Sequence, residues 1–175
     1  SATSEFHRIC GLTLLKAKNL SFGCYSLILD GLGQESGALM RPFIEYHELL
    51  TYFRLDPARV SEAANDSLPS AGNVAKAIKG YFKNFREHLN ENASHRAYSF
   101  YSLNHLLEGP HMGFRKFQRT MPKVLEKNIT DLFVQVLLLT QEAIRCLNTI
   151  EVGCCDEQAE KAGSLIERAA KVFEF

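Results

Sequence analysis

The spacing of apolar residues predicts helices along most of the chain. Its clearest stretch runs from Thr120 to Thr149, where apolar residues recur at alternating spacings of four and three, as on one face of an α-helix. These residues are Leu125, Ile129, Leu132, Val136, Leu139, Ala143 and Leu147. Thr120 can cap this helix, and Pro122 suits its first turn, where an amide is not needed. Because other helices must cover so long an apolar stripe, we expect this helix to be the spine of a bundle.

Further helices are predicted from the same periodicity. Their approximate ranges are Ser4 to Leu32, Gln34 to Arg54, Arg59 to Asn65, Ala71 to Asn90 and Ser94 to Leu107, and a last helix begins at Asp156. Pro42 predicts a kink or a late start in the second helix. No stretch alternates as a strand would. The sequence therefore predicts an all-α protein in which residues 1–175 form a single-domain antiparallel bundle of about six helices.

Composition narrows the classes of partner and compartment. Lysine plus arginine equals aspartate plus glutamate, so the formal net charge is zero and no general field attracts nucleic acid or anionic membranes. The longest nearly apolar run, Leu132 to Leu139, contains Gln135 and is shorter than the roughly 20 residues that span a bilayer. Five cysteines without CxxC spacing predict reduced thiols, three of them buried on helix stripes. With no signal sequence recognised, a cytoplasmic protein is expected.

A first candidate site is the charged group beside Pro42. Arg41 and Glu45 are four positions apart and share a helix face, and Glu48 follows three positions later. Together with His47, beside a proline and among aromatic residues, they are suited to a buried polar site. The alternative is a surface ion pair with His47 in solvent.

A second candidate lies around the turn that follows the fourth helix. The residues predicted to bind a ligand are Glu45, His88, Ser94, His95, Arg96 and Tyr98. Ser94 can cap the fifth helix, whose N-terminus suits a phosphate or another anion. The alternative is a simple cap with its histidines in solvent. A nucleophile and base pair is not predicted, because no acidic partner or oxyanion motif accompanies Ser94 and His95.

Two further groups of residues bear on metals and nucleic acids. Glu108 and His111 have the Glu-x-x-His spacing of di-metal bundles, but Gly109 and Pro110 break the helix between them. Neither a metal nor another cofactor is therefore predicted. A basic segment alternates with Phe114 and Phe117, a pattern that can hold phosphates and stack bases. Nucleic acid contact is accordingly considered through Arg115, Lys116, Arg119 and Lys123, the alternative being an ordinary solvated face with its aromatics turned inward.

One stretch carries a family resemblance. The segments Arg41–Glu45 and Tyr52–Pro57, with the later Ser94-His95, resemble bacterial helical-bundle proteins of unassigned function. Some of those are similar to the HEPN superfamily, whose active members are metal-independent ribonucleases that use an arginine and a histidine four to six residues apart. The resemblance implies Arg41 and His47 as the catalytic pair.

The leading functional hypothesis is a non-catalytic module that binds a protein or a small molecule. It rests on the density of aromatic residues between Tyr81 and Tyr101, which predicts an aromatic-lined groove between helices two, four and five. Small residues on the last helix also suit a homodimer. The alternative is the HEPN-like ribonuclease or RNA-binding protein, which requires Arg41 and His47 to meet in one accessible cleft.

Overall fold

The computed structural model describes most of the chain and gives an all-α helical fold. It covers residues 4–80, 82–93, 98, 103, 106–108, 113–115, 121–149, 160, 161, 163–165, 167, 168 and 171. The helices are α1 Glu5–Leu29, α2 Gly33–Leu55, a 3-10 turn Pro57–Arg59, α3 Val60–Ala64, α4 Ala71–Ala77, α5 Lys83–Asn92 and α6 Pro122–Thr149. Within these ranges no helix is long and apolar enough to cross a membrane.

Contacts along α2 give the directions of its neighbours. Cys24 of α1 donates from Sγ to the carbonyl of Ser36 at 3.5 Å, and Lys16 lies over the ring of Tyr46 at 5.9 Å, so α1 and α2 are antiparallel. On α6, Cys146 donates to the carbonyl of Leu50, and Asn128 lies beside Gly33 at the other end. Helix α6 therefore runs parallel to α2. Helices α1 and α2 thus form an antiparallel pair, and α6 packs against it parallel to α2 and antiparallel to α1.

Helix α2, rather than the predicted α6, is the central element. It packs against α1, α4, α5, α6 and the 3-10 turn. Its side chains Phe43, Ile44, Leu50 and Phe53 are fully buried. Since these residues point in several directions around the helix axis, α2 is covered on several sides, whereas α6 buries one stripe.

Pro42 does not delay or interrupt α2. The helix begins at Gly33 and continues through the proline, so the predicted late start is wrong. Proline lacks the amide that would bond the carbonyl of Ala38, four residues earlier. Ala38 is exposed, so water can take that place.

The predicted fourth helix is wrong as a single element, because it divides into α4 and α5. Lys79 and Gly80 have φ of 59° and 56°, in the left-handed region. The amide of Gly80 bonds the carbonyl of Ala75 at 2.8 Å and that of Lys79 bonds the carbonyl of Lys76 at 3.1 Å, which closes α4 as in a Schellman motif with Lys79 in the left-handed position. Helix α5 then continues through Asn92, beyond the predicted turn at Asn90.

The region after α5 departs from the predicted fifth helix at its end. Leu103 is helical, but Leu107–Glu108 pairs antiparallel with Gly113–Phe114 in a two-residue ladder, here β1 and β2. This ladder shows that the expectation of no strand is wrong. With two residues in each strand, it is too short to produce an alternating pattern in the sequence. Most of the predicted fifth and last helices lies outside the described residues, although the described positions between 160 and 171 are helical.

The buried face of α6 includes polar residues that the apolar pattern passed over. Its buried positions are Leu132, Gln135, Leu139, Glu142 and Cys146, whereas Leu147 of the predicted stripe is exposed. Oε1 of Glu142 accepts from Nε of Arg54 on α2 at 2.5 Å, and its Oε2 lies 3.3 Å from Nη1 of Arg145. A buried ion pair therefore joins α6 to α2. The prediction of buried thiols is confirmed for Cys10, Cys24 and Cys146.

The two arginines around Glu142 allow a matched test of this ion pair. Arg54→Ala removes the partner on α2 and leaves a carboxylate that is 2 % exposed, so we expect the free energy of unfolding to fall by about 3 kcal/mol. Arg145→Ala removes a side chain that is 62 % exposed and should lower it by less than about 1 kcal/mol. Urea denaturation of both variants measures the difference, and equal losses would contradict it.

Candidate functional site

A groove lies between the N-terminal part of α2, helix α5 and the first turns of α6. Its volume is about 400 Å³. The apolar side chains that line it are Met40, Phe85, Leu89, Ala93 and Val124. Its polar side chains are Gln34, Ser36, His88, Asn92, Lys123, Lys127, Asn128 and Asp131. We call this cavity the α2–α5–α6 groove.

Small residues on α2 determine the shape of this groove. A Cβ atom added to Gly37 would lie 2.5 Å from Cβ of Ala93, so α5 approaches α2 more closely there than a side chain would allow. A Cβ atom added to Gly33 would lie 2.9 Å from Nδ2 of Asn128 on α6. The two glycines thus bring three helices together around one cavity.

The polar edge of the groove is positively charged. Lys123 and Lys127 stand on the first turns of α6, and Lys127 Nζ donates to Oδ2 of Asp131 at 2.5 Å. The first turn of α2 also lines the groove, and Leu32 at its N-cap supplies no side-chain bond. The amides of a first helical turn carry partial positive charge. The groove therefore combines an apolar floor with an electropositive edge.

The charged group predicted beside Pro42 is divided between surface and core. Arg41 Nε donates to Oε1 of Glu45 at 3.4 Å in an exposed pair. Arg86 of α5 donates from Nη2 to the same Glu45 oxygen at 2.9 Å, and its Nη1 lies 3.3 Å from Oε2 of Glu48. Glu48 is 1 % exposed and neither of its oxygens has a hydrogen bond of good geometry among the described residues, so the contact with Arg86 is ionic. Burial raises the pKa of Glu48, while Arg86 acts against that rise.

His47 is buried rather than in solvent. Its ring meets that of Phe82 edge to face, with centroids 4.9 Å apart, and within the described part of the chain its Nδ1 has no hydrogen-bond partner. Burial lowers the pKa of His47 to about 4, although the nearby Glu142 carboxylate acts in the opposite direction. His47 is therefore neutral at pH 7.

Arg41 and His47 do not meet within the chain. The Arg41 side chain is 51 % exposed, whereas His47 is 8 % exposed and faces the core. Six positions along a helix leave two side chains about a third of a turn apart around its axis, which accounts for the difference. The ribonuclease pairing stays a prediction, and it requires His47 to reach solvent.

The other predicted site residues are spread over the molecule. His88 lines the groove, and its Nδ1 lies 3.2 Å from Nδ2 of Asn92. Tyr98 is 83 % exposed. Ser94, His95, Arg96, Lys116 and Arg119 lie outside the described residues.

The basic segment contributes to two separate places. Arg115 donates from Nε to the carbonyl of Leu107 at 2.5 Å within the β1–β2 ladder region, and Phe114 is exposed rather than turned inward. Lys123 instead lines the groove. His88 and Lys123, which were predicted to belong to separate sites, therefore both line the groove. Glu45, predicted to bind a ligand together with His88, does not line it.

Several lining residues were not predicted to belong to a site. Met40, Gly37 and Asn128 had no role in the sequence interpretation, although Gly33 and Gly37 on α2 and Ala93 after α5 are the signal of a close helix approach. Comparison of the chain with models of known families, with curated proteins and with solved structures found no match. The chemistry of the site therefore rests on its geometry.

The buried imidazole of His47 should make stability depend on pH. Its pKa is about 4 in the folded protein against 6.5 when unfolded, so between these values the unfolded chain binds more protons. The folded state should therefore lose about 3 kcal/mol relative to His47→Met as the pH falls from 7 to 4. The raised pKa of Glu48 acts in the opposite sense but is present in both proteins, so it cancels in the comparison.

Urea denaturation of both proteins across this pH range measures the effect. His88→Met, at an exposed position of α5, is the matched control for the removal of an imidazole that is not buried. A constant difference between wild type and His47→Met would contradict the burial of a neutral imidazole.

Proposed function

We propose that this protein is a non-catalytic binding module that holds a small amphipathic anion in the α2–α5–α6 groove. The observation that carries the proposal is the combination of an apolar floor and a positive edge in one cavity of about 400 Å³. Ligand sites commonly have volumes of roughly 300–1,000 Å³ and are mostly apolar with a few placed polar groups. These two features define the class of ligand. An apolar body fits the floor of the groove, and an anionic end group fits its positive edge.

The floor supplies the affinity for the apolar body. Met40, Phe85, Leu89 and Val124 line it, and burying apolar surface against such side chains is favourable by about 25 cal/mol per Å². Met40 is unbranched and adapts to ligands of irregular shape. Among the described lining residues, Phe85 is the aromatic one. Besides α2 and α5, helix α6 contributes to the wall of the groove.

The positively charged edge of the groove orients the ligand. Lys127 is already paired with Asp131, whereas no ion pair is found for Lys123 within the described ranges. Lys123 and the first turn of α2 both line the groove, and the helix dipole favours negative charge at such a first turn. We expect a carboxylate or sulfonate at this end and the apolar body toward Phe85.

Decanoate is a suitable probe, because it combines a carboxylate with an apolar chain of matching size. Titration followed by ¹H–¹⁵N NMR should give shifts concentrated at Gly33–Met40, Phe85–Ala93 and 123–131. Lys123→Ala should weaken binding roughly tenfold, the equivalent of about 1.4 kcal/mol for a lost charge contact. Val124→Glu, which places a negative charge in the groove at an exposed position, should abolish it.

Leu147→Glu is the matched control for the second variant. Leu147 is also an exposed apolar residue of α6, but it does not line the groove, so this change should leave decanoate binding unaltered. The proposal fails if wild type shows no shifts at millimolar decanoate. It fails equally if Val124→Glu and Leu147→Glu bind the probe as wild type does.

A further inference from the structure

A second and larger cavity lies on the opposite side of α5, between α2, α4 and α5. Its volume is about 590 Å³. The cations that line it are Arg41, Lys76, Lys79, Lys83 and Arg86, and the anions are Glu48 and Glu87. The lining thus has three more positive than negative charges, in a chain whose formal net charge is zero. We call this cavity the basic cleft.

The break between α4 and α5 gathers three of these cations. Lys76 is in the last turn of α4, Lys79 is in the break itself and Lys83 begins α5. Lys79 adopts φ of 59°, a conformation that non-glycine residues seldom take. The break therefore places all three lysines at the rim of one cavity.

The cleft also has a fixed wall. Arg86 is 13 % exposed and is held by Glu45 and Glu48, as described above. Arg41 also lines the cleft, and its Nε lies 3.4 Å from Oε1 of Glu45. Because these carboxylates already orient both arginines, an incoming anion meets donors that are largely in place.

The lysines of the cleft have fewer charged partners than its arginines. Lys83 has only a long contact of 3.9 Å with Glu87. For Lys76 and Lys79 no ion pair is found among the residues the structure describes. The three lysines and Arg41 thus line one cavity, and ammonium and guanidinium groups are the usual partners of phosphate oxygens.

The other lining residues restrict the kind of ligand. Among the described residues, the neutral ones that line the cleft are Gly72, Ala75, Gly80 and Asn90, and none of these four offers an aromatic ring or a large apolar side chain. Recognition by this described lining therefore rests on charge. We propose that the basic cleft is a second binding site, separate from the groove, for a small anion that carries two or more linked phosphate groups.

Inorganic pyrophosphate without metal is the direct probe, with isothermal titration calorimetry as the measurement. The triple variant Lys76→Gln, Lys79→Gln, Lys83→Gln should bind at least about tenfold more weakly than wild type, since three of the five cations are lost. Binding to wild type should weaken as salt rises from about 0.05 to 0.5 M, because added ions screen the contact.

The control is a triple variant with the same change of net charge, Arg8→Gln, Lys16→Gln, Lys18→Gln, at exposed positions of α1 that do not line the cleft. It should keep the wild-type affinity within about twofold, since distant exposed charges are screened. Thermal unfolding followed by circular dichroism checks that both triple variants fold. No binding to wild type at millimolar pyrophosphate, or equal losses in the two variants, would overturn the proposal.

Two more probes separate the sources of the phosphate groups. Triphosphate and ATP that bind with equal affinity indicate recognition of the phosphates alone, and tighter binding of ATP indicates a nucleotide; both outcomes support the site. Binding of single-stranded RNA without any binding of pyrophosphate would overturn it, because the ligand would then be a polymer rather than a small anion. Decanoate binding is measured on the same variants and should be unchanged, which distinguishes this site from the groove.

Discussion

The burial of α2 on several sides is the constraint on which the rest of the structure depends. A helix in that position has little surface left for polar side chains, yet α2 carries His47, Glu48 and Arg54 on its later turns. Buried charges need partners, and here the partners come from other helices: Arg86 of α5 pairs with Glu48, and Glu142 of α6 pairs with Arg54. Each pair fixes the position of one neighbouring helix along α2. Apolar packing alone would fix that position less strictly, because it has little directional preference.

Because Arg86 holds α5 against α2, the two faces of α5 form the walls of two different cavities. Phe85, His88, Leu89 and Asn92, at helical spacings of three and four, face the groove. On the other face, Lys83, Arg86, Glu87 and Asn90 line the basic cleft. One short helix thus separates an apolar cavity from a charged one. The two sets of residues can be read from the sequence of α5. Which cavity each set lines, however, depends on how α5 packs on α2.

Local periodicity predicted α1, α2 and α6 to within a few residues, because long amphipathic segments have a strong signal. It failed at Lys79 and Gly80, since the apolar stripe from Val74 to Leu89 continues on both sides of the break and hides it. The same reasoning could not find Glu142. Its carboxylate is buried against Arg54, which is 88 residues away in the chain, so no local pattern indicates the pair. His88 was expected to bind a ligand and does line a cavity, but the wall contributed by α6 depends on long-range packing.

The neutral composition of the chain illustrates why a sum of charges says little about sites. A net charge of zero excludes a strong electrostatic field around the whole protein. The attraction of an anion to one site, however, depends on the charges within about 8 Å at physiological salt. Around the basic cleft the cations gather where a helix break brings three lysines together, while Glu48 is withdrawn into the core. Glu142 on the buried face of α6 likewise pairs with Arg54 of α2. Folding thus separates charges that are balanced in the sequence, and the separation follows from the pairs that the buried α2 requires.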